Sequence, residues 1–222
     1  MQVIKTGLLC SPAYDEDATT AVRRLLETIA PAAVIVADRS VSAQRYLVEE
    51  VLRQWCDEDE LDLVLTLGGT VPAPGPSPRE IMPEATAAVV ERLMPGLPEA
   101  MRAYASEETA LAMLDRGLAG IRGRTLILNL PAGADAAVLF LEALADILAA
   151  IVAYLQEDPV APTIGDGLRD PQIGNPREEA QPPGAAPLSA PDLSERSAKT
   201  LNADEFAAYL RRKSSSAKSD RD

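Results

Sequence analysis

Along the first two thirds of the chain, short continuous apolar runs alternate with longer stretches whose apolar residues recur at helical spacing. VIKTGLLC over 3–10 reads as a strand, and Asp15 to Ala30 as a helix with Ala21, Val22, Leu25, Leu26 and Ile29 along one side. AAVIVA over 32–37 is a second strand, Val41 to Cys56 a second helix carrying Leu47, Val48, Val51, Leu52 and Trp55, and LDLVLTL over 61–67 a third strand. Parallel strands need a crossover between them and a helix supplies it, so this order predicts an α/β fold, a mostly parallel sheet with helices packed on it. Beyond a proline-rich loop, Pro83 to Leu93 reads as a helix opened by Pro83 and Glu84, both suited to an N-terminus, and Pro98 to Tyr104 as a shorter one. Gly117, Gly120 and Gly123 mark a turn region, TLILNL over 125–130 is a buried strand, and Ala134 to Leu155 is predicted to be one long helix, apolar nearly all round.

From Pro159 onward the pattern stops. Eight of the chain's 18 prolines fall in 159–222 among Gly, Ser and charged residues. The expected domains are therefore a folded body, 1–158, and a disordered tail, 159–222. Within the tail, LNADEFAAYLRRK over 201–213 has the spacing of a short amphipathic helix and is a candidate docking motif for a protein partner.

Charge narrows the function. The body holds 12 Lys and Arg against 24 Asp and Glu, most of the chain's net charge of −13, and Lys5 is its single lysine. Phosphate backbones and anionic lipid are gripped by clustered Lys and Arg, so neither nucleic acid nor membrane is an expected partner. The chain has no histidine, which excludes a Ser-His-Asp triad and a His-based zinc site. Cys10 and Cys56 lack the spacing of a metal site or redox pair and read as reduced. MQVIKTGLLC has no export pattern, and Asp135, Glu142 and Asp146 interrupt the apolar 134–155 stretch, so a cytoplasmic protein is expected.

The segment richest in chemistry is TLGGTVPAPGPSPREIMPEAT over 66–86. A Gly-Gly turn ending a buried strand brings backbone N–H groups close to an anion, and Thr70 adds a hydroxyl. TLGGTV followed by PREIMPEAT resembles the TTGGTG…RDxTPEAT signature of the MoaB/Mog family, which includes molybdopterin adenylyltransferase and the gephyrin G domain. TLILNLPAGADAAVLFLEAL over 125–144 is similar to the family's LIxNLPGSPKAVxExL segment. The resemblance spans about 3–155. It implies a three-layer α/β/α domain, commonly trimeric, that binds molybdopterin at the strand ends and, in active members, adenylylates its phosphate with Mg-ATP.

Carried over residue by residue, the resemblance implies that Gly68, Gly69 and Thr70 cradle phosphate, Arg79 neutralises it, and Glu84, Asn129, Pro131 and Gly133 complete the binding wall. Asp38 and Glu80 become the catalytic carboxylates and Mg2+ ligands. Several positions depart from the pattern. Val71, Glu80, Met82, Ala132 and Asp135 replace Gly, Asp, Thr, Gly and Lys, and Asp115 stands in MLDRG where the family has Ser. Met82 forfeits a hydroxyl, Asp115 and Asp135 add negative charge near an expected anion, Val71 and Ala132 add side chains where glycines stood, and Glu80 keeps its charge about one methylene further out. Two rival readings therefore stand beside the enzyme: a non-catalytic descendant acting as a binding or scaffold protein through its altered site and tail, and a phosphate-binding module for another nucleotide.

Overall fold

A computed structural model describes residues 3–75, 80–159 and 161. The chain divides into two units, Met1–Arg169 and Asp170–Asp222. All of the second unit, the expected helix at 201–213 included, lies outside the described residues.

Six strands form one sheet in the order β2-β1-β3-β6-β5-β4. The strands are β1 (Ile4–Cys10), β2 (Ala33–Ser40), β3 (Leu63–Leu67), β4 (Arg92–Leu93), β5 (Ala119–Arg122) and β6 (Thr125–Leu130). The first four in that order run parallel, and β5 and β4 are added antiparallel. The helices are α1 (Glu16–Ile29), α2 (Arg45–Asp57), α3 (Met82–Val89), α4 (Gly96–Glu108), α5 (Ala134–Glu142) and α6 (Leu148–Leu155). Strand residues alternate between two cores, which makes the three layers. Leu8, Leu65 and Leu128 pack under α1, α4, α5 and α6 through Val22, Met101, Phe140 and Leu148. Leu9, Val64 and Ile127 face the opposite way, under Trp55 and Leu52 of α2 and Met82 and Val89 of α3.

Three expectations are corrected. The helix expected over 83–93 ends at Val89, because Arg92 and Leu93 pair with Ile121 and Gly120 of β5. The expected turn at 117–123 is largely that strand, joined to β6 by a tight hairpin at Gly123 and Arg124. The long helix from Ala134 is two. Residues 143–147 turn through shorter-range bonds such as Leu144 N–H to Leu141 O, 3.0 Å, and Ile147 N–H to Leu144 O, 3.0 Å. That turn contains neither glycine nor proline, so nothing in the pattern marked it. Phe140, Leu141 and Leu148 are buried within the one chain, whereas Ile147 and Tyr154 of the same stretch are exposed.

Candidate functional site

The carboxyl ends of β1, β3 and β6 lie side by side, where ligands of open α/β sheets bind. There the loop Ser11–Asp17, with Leu67, Gly68 and Ala132, encloses a cleft of about 400 Å3. Asp15, Glu16 and Asp17 line it, and none of its lining residues is basic.

Gly68 shapes its wall. The residue has φ +92°, and a Cβ there would stand 2.4 Å from the Ser11 carbonyl oxygen, so only glycine fits. Its N–H is spent on Leu130 O, 3.0 Å, continuing the sheet rather than facing a ligand. Gly69, φ +68°, accepts Met82 N–H at 3.3 Å and so joins the turn to the start of α3. Val71, where the family has glycine, points its side chain outward and is 45% exposed, and it does not fill the turn.

Thr70 differs from expectation. Its hydroxyl is directed inward and is buried with no hydrogen-bond partner, as is one oxygen of Asp115. The two are near enough for the hydroxyl to oppose the upward shift of the Asp115 carboxyl, though too far or too poorly aligned to complete a hydrogen bond. Desolvation dominates and raises Asp115 above the ordinary carboxylate range, against Thr70, the Gly117 N–H at 2.9 Å and Arg102 at 3.8 Å.

The segment after Asp115 returns to the Gly-Gly-Thr turn. Arg116 N–H bonds Thr70 O at 3.0 Å, and its guanidinium lies between two carboxylates, donating to Glu84 and standing 3.6 Å from Glu80. Glu80 in turn accepts Ala73 N–H at 3.3 Å. Sequence reasoning passed over Arg116. Its signal was the Arg of MLDRG, matched to the family's LSRG only for the residue before it. Arg79 lies outside the described residues.

Asn129 is a structural staple. Its amide donates to Thr66 and Thr86 hydroxyls at 2.9 Å each and accepts Leu118 N–H at 3.0 Å, so β3, α3 and the 117–118 segment meet on one buried side chain. That leaves the side chain no group turned toward a ligand. Pro131 is buried directly after β6, and Gly133, φ +87°, precedes α5 with its N–H given to Asp15 at 3.1 Å. The other Asp15 oxygen caps α1 through Ala18 N–H, 2.9 Å.

The expected metal pair is not assembled. Asp38, on β2, accepts from Tyr14 at 3.0 Å and Arg23 at 3.1 Å, and thus belongs to the α1 side. Partial desolvation first and the Asp38 carboxylate second raise the Tyr14 phenol. Glu80 is held beside α3 by Arg116 and Ala73. Asp38 pairs with Arg23 and Glu80 shares Arg116 with Glu84, and no three His, Cys, Asp or Glu side chains among the described residues are grouped to hold a metal ion. These residues do not fit one shared Mg2+ site. Both cysteines are free, and burial pushes the Cys56 thiol up to about 11, which leaves it protonated and a poor nucleophile.

Comparison with known proteins agrees with the motifs. Residues 13–150 match the family described as "Probable molybdopterin binding domain". The chain is 45% identical over 91 residues to a molybdopterin adenylyltransferase of Helicobacter pylori, covering 41% of this chain and 49% of that protein. It is 33% identical over 137 residues to the molybdopterin adenylyltransferase of Escherichia coli strain K12, covering 59% and 68%. It thus spans about half the length of the first of these curated relatives. The molybdopterin biosynthesis enzyme MoaB of Thermus thermophilus superposes with a TM-score of 0.63 at 35% identity, covering 70% of this chain and 98% of that one. A MogA structure gives 0.58 at 30% identity, covering 68% and 97%. A three-layer fold, a glycine turn at the end of β3 and a family match across most of the folded body together place this chain in the molybdopterin-binding domain family.

Proposed function

We propose that this protein acts in molybdenum cofactor biosynthesis, binding molybdopterin at the carboxyl ends of β1, β3 and β6 and adenylylating its phosphate with ATP. The observation that carries this reading is the cleft bounded by Ser11–Asp17, Gly68 and Ala132, in the place where the fold puts its ligands. The chemistry of the walls divides the ligand. A pterin edge is rich in N–H donors, which suit the acceptors Asp15, Glu16 and Asp17; a phosphate suits the opposite flank of the Gly68–Thr70 turn, where Arg116 stands.

ATP in this reading brings Mg2+ with its own phosphates, since Asp38 and Glu80 are each paired with an arginine. The residues themselves do positioning work: the Gly68–Gly69 turn shapes the backbone, Asn129 holds β3 against α3, and Glu80 keeps the 70–73 limb in place. Mg2+ and a homotrimer enter from the family resemblance, and a cytoplasmic setting from the sequence reading. No helix among the described residues is long and apolar enough to cross a membrane.

Blocking the cleft tests the reading. Ala132 is exposed in its wall, away from either core, so Ala132→Trp fills the space with little effect on folding. Fluorescence titration with molybdopterin is expected to give at least about a tenfold rise in Kd, the loss of roughly 1.4 kcal/mol of binding. Equal affinity in the variant and the unaltered protein would move the site elsewhere.

A further inference from the structure

Arg116 is fixed more firmly than an exposed arginine needs to be. Its N–H is bonded to Thr70 O, which sets its Cα beside the Gly-Gly-Thr turn, and its side chain, 42% exposed, reaches over the turn to Glu80 and Glu84. Two described carboxylates share this one guanidinium beside the Gly-Gly-Thr turn. The two acids are not equivalent. Glu80 is tied at its other oxygen to Ala73 N–H, whereas the second oxygen of Glu84 is buried with no hydrogen-bond partner. A buried carboxylate oxygen without a donor is costly, so Glu84, though hydrogen-bonded to Arg116, sits there at a cost that Glu80 does not carry. Among the described residues, Arg102 is the other arginine near this segment, and it is engaged with Gly117 O at 3.2 Å and Asp115 at 3.8 Å.

We propose that Arg116 is the phosphate-binding cation of the site and that Glu84 is an internal competitor, occupying the guanidinium until a ligand phosphate displaces it, while Glu80 keeps the arginine beside the turn. This rests on the phosphate-binding reading above and adds to it the residue that sets phosphate affinity. An arginine fork offers two parallel N–H donors, and a phosphate presents the oxygen pair that a carboxylate presents, with more charge. The exchange needs no change in backbone, because Thr70 O and Glu80 hold Arg116 from either end.

Calorimetric titration of the full chain with inorganic pyrophosphate tests this, using Arg116→Gln, Arg116→Lys and Glu84→Gln with thermal melting as the folding check. Arg116→Gln is expected to weaken binding about tenfold or more, Arg116→Lys to recover part of it, and Glu84→Gln to tighten binding a few-fold by removing the competitor. Unchanged affinity in either Arg116→Gln or Glu84→Gln, or no pyrophosphate binding by the unaltered protein, overturns the proposal. Should Arg116→Gln fail to fold, Glu84→Gln decides alone. A protein that shows the pattern with pyrophosphate but binds no molybdopterin keeps this inference and loses the molybdopterin reading. One that binds molybdopterin equally with and without Arg116 does the reverse.

Discussion

Asp115 occupies a position where a carboxylate is expensive: 5% exposed, with Arg102 at 3.8 Å, one N–H bond from Gly117 and a hydroxyl nearby that completes none. Burial favours its protonated form, so its folded pKa is raised above the unfolded value of about 4. Linkage then fixes the sign. The folded state holds this proton more tightly, so the favourable contribution is complete below about pH 4 and is lost as pH rises through the raised folded value. Urea midpoints of the unaltered protein and of Asp115→Asn, measured upward from pH 4, are expected to diverge in favour of the substituted protein as pH rises; parallel curves would show that Asp115 is not the source of the slope. At this scale the sequence was partly legible. That Asp115 stands in place of the family's serine was visible, but its burial was not, because MLDRG looks like a charged surface turn until α4 and Asn129 fold over it. Likewise Asn129 was marked by its NLP context as a ligand contact, whereas its three hydrogen bonds, two of them buried, make it a staple.

Elements are joined at their ends by side chains the hydrophobic pattern does not report. Arg122 binds Asp57 at the end of α2 through Nε and Nη2, 2.8 and 2.6 Å, and donates from Nη1 to Val89 O at the end of α3, 3.1 Å. Asp15 makes the matching link at the opposite pole, capping α1 and holding Gly133 N–H ahead of α5. A lost N-cap costs about 0.5–2 kcal/mol. Asp15→Ala is expected to lose about that much and somewhat more from Gly133, while Asp15→Asn, with one acceptor oxygen, recovers the α1 cap alone. Urea denaturation therefore ranks the unaltered protein first, Asp15→Asn second and Asp15→Ala last; equal losses in the two variants would contradict the two-helix role. Strand and helix cores were legible here because period and burial coincide, as in β1, α1 and β3. The breaks were not: the 143–147 turn lacks glycine and proline, and β4 is two residues long, held only by its antiparallel partner.

For the molecule as a whole, fold and family were readable because two separated motifs, TLGGTV…PREIMPEAT and TLILNLPAGADAAVLF, both contain strand-to-loop junctions that the topology places side by side. Activity was less readable. Whether Val71 and Asp135 damage the site depends on side-chain direction, and Val71 turns outward while Asp135 is exposed in the first turn of α5. Three of the body's acids, Asp15, Glu16 and Asp17, line the cleft, so in the proposed reading phosphate is met from the Arg116 flank. The most direct measurement is ATP-dependent transfer of AMP to molybdopterin by the full chain, with Glu80→Ala and Ala132→Trp alongside. The account predicts adenylylated molybdopterin and released pyrophosphate, with turnover reduced by about tenfold or more in each variant. Molybdopterin bound at the Ala132 cleft but never adenylylated would contradict it and make the protein a binding member of its family.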